Sequence, residues 1–192
     1  MTVTQEKPLT GIDPTRPWTF EDLLVLPDAE GWRFELFEGT LLVSPIPPIP
    51  HGSVVVRLRD ILLKQLPESL KAGENFGVLK QDHRSYFVPD LTIFDAEMLE
   101  SALPALPPST VSLAIEVVSP GNPANDHVIK RNGYATTGVK EFWIVDPRTQ
   151  TVTVLTGPTP NGYTLEKVYG SGDLVRAQEP LTVEVPVASL FS

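Results

Sequence analysis

Residues 111–119 read VSLAIEVVS. Six of the nine are apolar and one, Glu116, is charged. An almost unbroken apolar, β-branched run predicts a central strand covered on both faces. SPGNP then punctuates the chain: Asn122 suits a helix cap and Pro123 a first helical residue. A helix is predicted from Pro123 to about Thr136, ending near Gly138. Lys140–Val145 forms the next apolar strand, and Asp146-Pro147 its turn.

Working outward, Thr19 can cap a short helix over Phe20–Leu26, closed by Pro27. RFELFEGTLLVSP reads as a β-hairpin turning at Glu38-Gly39. SPIPPIP is a rigid extended connector. Val54, Leu58, Ile61, Leu62 and Leu66 recur at helical spacing, which predicts an amphipathic helix from about His51 to Leu66. Strands are expected at Phe76–Lys80, Ser85–Val88 and Leu91–Phe94. Beyond Pro147, the runs TVTVL, YTLEKVY and LTVEV alternate between turn residues and predict further antiparallel strands. The order of elements defines an α/β (α+β mixed) fold: a mixed central β-sheet flanked by helices, with added antiparallel C-terminal strands. Residues 1–17 read as a flexible N-terminal segment and 18–192 as a single domain, with a core at about 32–155 and a β extension at 156–192.

The chain has 192 residues, no cysteine, 15 basic and 24 acidic residues, and a net charge of -9. Without cysteine there is no disulfide framework, thiolate zinc site, iron–sulfur ligation or cysteine nucleophile. No apolar run approaches the about 18 residues of a membrane span, and the N-terminus has no signal-peptide core, so a cytoplasmic protein is expected. The acidic balance speaks against a nonspecific nucleic-acid binder working through a basic tail. Residues 91–125 carry four acidic groups and no base, while 51–90 and 126–148 on either side are mildly basic.

Glu116 requires an explanation, because burying a lone carboxylate is costly. Asp126, Lys130 and Tyr134 share one face of the following helix, and Asp90 opens an apolar strand in VPDLTIF. Two arrangements satisfy these residues. One is a structural ion pair between Glu116 and Lys130, with Asp90 at an exposed strand edge. The other is a metal site, in which carboxylates from neighbouring strands form a hard oxygen shell suited to Mg²⁺ and a lysine steadies charge on a phosphoryl group.

FELFEGTLLVSP, HGSVVVRL, VPDLTIF and LAIEVVSPGNPANDHVIKRNGYATTGVKEFWIVDP, in this order, resemble the restriction-endonuclease family known as Uma-two, of the PD-(D/E)xK nuclease superfamily. The likeness spans roughly residues 18–155. It is most specific from Glu116 to Pro147: E-V-x-S-P, D-x-x-x-K-x-x-x-Y and G-V-x-E-F-W-x-V-D-P. The resemblance implies a restriction-endonuclease-like core and an Mg²⁺- or Mn²⁺-dependent endonuclease (a hydrolase acting on ester bonds) that cuts DNA, with RNA as an alternative substrate; cutting both strands of a duplex is easiest with two sites, so a homodimer is expected. It makes Pro89-Asp90 the PD motif and Glu116 the motif glutamate. Asp90, Glu116 and Lys130 are then catalytic, with Asp90 and Glu116 as metal ligands. Val118 stands where the superfamily has its lysine, and the resemblance implies that Lys130 replaces it. Asp126 either holds Lys130 or joins the metal shell. Glu35 is either an outer metal ligand or a hairpin residue paired with Arg33 or another surface base. His51 either touches phosphate or caps its helix. Tyr134 either bonds toward the site or packs. Trp143 is expected in the core. Ser119 with His127 makes no hydrolase pair, and no nucleotide-binding glycine motif is present. The rival to an enzyme is a catalytically silent nucleic-acid- or protein-binding module on the same fold.

Overall fold

The computed structural model describes Asp13 and residues 15–26, 30–119, 126–178 and 181–192. Most of the segment expected to be flexible, and the expected Pro27, Asn122 and Pro123 boundaries, lie outside the described residues.

The first helix, α1 (Phe20–Leu24), begins after Thr19, whose N–H donates to the Asp22 carboxylate at 2.8 Å. It ends two residues short of expectation. Strands β1 (Trp32–Phe37) and β2 (Thr40–Pro45) form the predicted hairpin. Its two central residues, Glu38 and Gly39, have φ of +49° and +82°. Positive φ at both positions matches the right-handed twist of paired strands, and glycine relieves the strain at the second. The helix α2 (Ile49–Leu63) starts two residues earlier and stops three sooner than the periodicity suggested.

Strand β3 (Leu70–Gly73) lies in a stretch given no strand by the sequence. The next two expected strands shrink to β4 (Val78–Leu79) and β5 (Tyr86–Phe87), while β6 (Leu91–Asp95) and β7 (Val111–Val117) fall where expected. After β7 comes a π-turn, Asp126–Lys130, continuing into α3 (Arg131–Thr137), where one regular helix was predicted. Then follow β8 (Glu141–Asp146), β9 (Thr151–Thr159), β10 (Gly162–Tyr169), β11 (Leu174–Arg176) and β12 (Glu184–Pro186). Asp146 closes β8 as expected, its Oδ1 accepting the Arg148 N–H at 2.9 Å.

Six strands form the central sheet in the order β10-β9-β8-β7-β6-β3. Only the β7–β8 pair within it is parallel, because α3 carries the chain back across the sheet between them. A second sheet runs β2-β1-β5-β4, and β11 pairs with β12. Strand β9 runs unbroken through positions 155 and 156, so the sheet has no seam there.

The pleat of β7 sorts its residues between two cores. Leu113, Ile115 and Val117 join Leu58 and Leu62 of α2, with Val175, Val185 and Leu190 from the C-terminal segment. Ala114 and Val118 join Tyr134 and Ala135 of α3, with Phe87, Phe142 and Leu155. Glu116 shares the pleat of the second group. Trp143 is fully buried as expected, and its Nε1–H donates to Glu141 Oε1 at 2.6 Å.

Gly133 lets α3 lie against β5: a Cβ there would come 2.2 Å from the Phe87 ring. Gly133→Ala should therefore lower stability by about 1–3 kcal/mol through overpacking. Gly52, in α2, faces open space, and Gly52→Ala should raise stability by about 0.5–1 kcal/mol. Opposite shifts in thermal midpoint are expected, and equal shifts would contradict the packing.

Candidate active site

Strands β6 and β7 pair antiparallel with Leu91 opposite Ile115. Asp90 directly precedes Leu91 and Glu116 directly follows Ile115, so the two carboxylates flank this pair at one end of β6. The Val117 N–H donates to Asp90 Oδ2 at 2.9 Å, and Arg33 Nη1 lies 3.3 Å from Asp90 Oδ1. Asp90 is therefore buried and paired, not at an exposed strand edge.

Glu116 is also buried, and its Oε1 accepts two hydrogen bonds. Lys130 Nζ–H donates at 2.8 Å and the Tyr134 hydroxyl at 2.8 Å. The two donors are four residues apart, which puts them one above the other on a helical face. Tyr134 also packs, its ring 5.0 Å from Phe87 and 4.5 Å from Phe142, so both readings of this residue hold. Among the described residues, Glu116 Oε2 accepts no protein hydrogen bond.

Glu35 comes from β1. It is not a surface residue paired with Arg33. Its Oε1 accepts the Val88 N–H at 2.8 Å, and its Oε2 lies 3.2 Å from Lys130 Nζ. Arg33, two residues earlier, reaches Asp90, the Val88 carbonyl (3.1 Å) and Asn75 Oδ1 (2.8 Å). His51 makes no side-chain cap on α2. It is buried, with Nδ1 3.3 Å from Ser119 Oγ and Nε2 3.0 Å from Asp90 Oδ2, though off the line that a hydrogen bond needs. The Asp126 side chain lies outside the described residues.

Asp90, Glu116, Lys130, Glu35, His51 and Tyr134 thus converge. Arg33, Asn75 and Ser119 complete the cluster; the sequence named Arg33 only as a surface partner of Glu35, Ser119 only in a rejected pair with His127, and Asn75 not at all. Arg33 had a readable signal, since it shares a strand face with Glu35. Asn75 and Ser119 had none, because their partners lie 42 and 68 residues away. Beside the cluster, a cavity of about 160 Å³ opens between Arg33, His51, Gly52, Glu74, Asn75 and Asp90.

Three carboxylates here face two permanent cations. Burial, reinforced by Asp90 and Glu35 and opposed by Lys130, pushes the Glu116 carboxyl up to about 8. Burial works against the Lys130 charge, but Glu116, Glu35 and Asp90 outweigh it and hold the ammonium well above its usual range. Burial would raise Asp90 as well, yet His51, Lys130 and Arg33 keep it below the usual carboxylate range. The Tyr134 phenol, buried beside Glu116, is raised and stays a proton donor.

The chain belongs to the Uma2 family, described as "Putative restriction endonuclease", which matches residues 20–188. Among solved structures it is similar to "a putative nuclease belonging to DUF820" from Anabaena variabilis ATCC 29413, with a TM-score of 0.74 and 21% identity. That match covers 91% of this chain and 98% of the other. Comparison with curated proteins finds no match. Among the described residues no helix is long and apolar enough to cross a membrane.

Glu116 titrates near 8 when folded and at about 4.3 when unfolded. Between those values the folded state holds the extra proton, so this group's contribution to stability falls as pH rises. Glu116→Gln removes that slope. Thermal unfolding from pH 5 to 8.5 should show wild type losing stability relative to the variant, and a flat difference would contradict the assignment.

Proposed function

We propose that the protein is a metal-dependent endonuclease hydrolysing phosphodiester bonds of DNA, with Asp90, Glu116 and Lys130 as catalytic residues. One observation carries this reading. Val118, where the superfamily has its lysine, is buried among Ala114, Tyr134 and Phe142, while Lys130 brings an ammonium to 2.8 Å from Glu116 Oε1 out of the crossover helix. Carboxylate, carboxylate and ammonium are thereby assembled by a different route.

The donor set fits Mg²⁺ or Mn²⁺. Among the described residues no group of three or more acidic or histidine side chains forms a cage. Mg²⁺ needs none, since it binds through one or two carboxylates, water and substrate phosphate. Asp90 and Glu116 would hold it, the latter through Oε2, which accepts no hydrogen bond among the described residues, and a cation there would favour the ionised form of Glu116. Glu35, across Lys130, would stand as an outer carboxylate. When bound, such an ion stabilises charge on phosphoryl oxygens and acidifies water.

The protein's own groups have distinct tasks. Lys130 keeps its proton and donates from Nζ to the attacking water or to a phosphate oxygen, where preorganised charge acts most strongly. Tyr134 and Glu35 position Lys130 and Glu116. Arg33, beside the cavity, attracts phosphate and orients Asp90. His51 lies where it can contact a phosphate oxygen. Two copies, one site per strand, would cut a duplex.

Purified wild type should cleave single- or double-stranded DNA with Mg²⁺ or Mn²⁺ and fail with chelator. Asp90→Asn, Glu116→Gln and Lys130→Ala should each reduce the rate about 100-fold or more. Independently of activity, Mn²⁺ at pH 8 should raise the thermal midpoint of wild type and not that of an Asp90→Asn/Glu116→Gln double variant. Equal cleavage by wild type and variants would assign the activity to a contaminant. No cleavage of any DNA or RNA form with either metal would leave the silent binding module.

A further inference from the structure

The loop between β3 and β4 presents an aromatic ring beside the candidate active site. Phe76 is 41% exposed, on a loop that is firmly anchored. The loop is fixed at four points. Arg59 pairs with Glu74. Arg33 Nη2 donates to Asn75 Oδ1 at 2.8 Å. Thr92 Oγ1 lies 3.4 Å from the Phe76 carbonyl. The Leu106 N–H donates to the Gly77 carbonyl at 2.8 Å.

The ring itself is also held. It stacks on Phe94, with centroids 5.1 Å apart and planes at 24°, and it passes so close to Gly73 that a Cβ there would come within 2.5 Å of it. Asn75 lines two cavities. One is the cavity at Asp90, Arg33 and His51. The other, of about 280 Å³, lies between Asn75, Phe76, Tyr86, Met98, Pro104 and Leu106. Sites for drug-sized ligands run from about 300 Å³ upward, so this cavity suits a single planar heterocycle. Its walls combine aromatic and apolar surface with the polar groups of Asn75 and Tyr86.

We propose that Phe76 and this second cavity form a subsite for one unstacked nucleobase of a nucleic-acid strand whose adjacent phosphate lies at Arg33 and Asp90. The subsite rests on the nuclease reading for its substrate class. Continuity through Asn75 sets the occupant: a base joined to a phosphate at Arg33 has this cavity next to it. Stacking on an aromatic side chain tolerates any base, since every base has a π-face, so the subsite favours single-stranded, flipped or frayed nucleotides over an intact duplex.

The test uses a single-stranded oligonucleotide carrying 2-aminopurine, with binding followed by its fluorescence in EDTA and cleavage followed separately with Mn²⁺. Phe76→Leu keeps the apolar contact with Phe94 and removes the π-face. Phe76→Tyr keeps both. Phe76→Leu should weaken binding about tenfold, within the range of base–aromatic stacking, while Phe76→Tyr binds as wild type does; binding is measured well below each variant's thermal midpoint, because Phe76→Leu also loses the stack on Phe94. In cleavage, the loss from Phe76→Leu should appear in KM on single strands more than in kcat. Cleavage with unchanged affinity in Phe76→Leu overturns the subsite and leaves hydrolysis standing. Phe76-dependent binding without cleavage upholds the subsite and overturns hydrolysis. Wild type that neither binds nor cleaves the oligonucleotide overturns both.

Discussion

A carboxylate in a strand covered on both faces sets the terms for this molecule. Glu116 is too deeply buried for water to solvate it well, and an unpaired buried charge is among the most destabilising features a fold can carry. Two donors from one turn of helix converge on Oε1. To deliver them, α3 must pack closely into the fold, and Gly133 permits this by letting it approach Phe87 of β5. Tyr134 must be clamped at the right height, which Phe87 and Phe142 accomplish. Glu35 balances the other side of the ammonium and is itself held by a backbone N–H. The second sheet is attached to the first through this polar junction as well as through apolar packing.

The opposite face of β7 supports this arrangement without polar groups. Leu113, Ile115 and Val117 sit in an apolar core under α2 and the C-terminal strands. Close packing on that side passes its rigidity to the pleat that carries Glu116. The C-terminal segment is anchored by a second buried carboxylate. Glu141 accepts from Trp143 Nε1–H and from the Gln178 N–H at 2.8 Å, which joins the start of β8 to the chain leaving β11. The candidate site is thus built on strand and helix for Glu35 and Glu116 and on tightly bonded flanking residues for Asp90 and Asn75, as precise placement of charge requires.

The most legible part of the chain was its centre. Continuous apolar β-branched sequence and a second apolar run located β7 and β8, and Gly138 located the end of α3, because local pattern and tertiary role agree there. Agreement failed where an element exists only through its neighbour. Leu70–Gly73 has a lysine, an alanine and a glycine in four residues, and it is a strand because β6 offers it an edge. Local reading left Glu35 either as an outer metal ligand or as a hairpin residue paired with a surface base. It is buried because Lys130, almost a hundred residues later, covers that face. His51 looked like a capping residue, but its neighbours Ser119 and Asp90 come from distant segments and leave no local trace. In each case the missing information was long-range pairing, which composition and periodicity do not encode.

Lys130 and Tyr134 address a single oxygen from positions four apart. A helix advances about 100° per residue, so inserting or deleting one residue between them would swing one donor out of line and strip Oε1 of half its partners. Loops elsewhere in the chain can absorb such length changes over evolutionary time, since loop closure depends only weakly on length. The segment 130–134 cannot. Point substitutions on its outer face are compatible with the fold, but its length behaves as a fixed quantity, an indel-free ruler laid across the central strand.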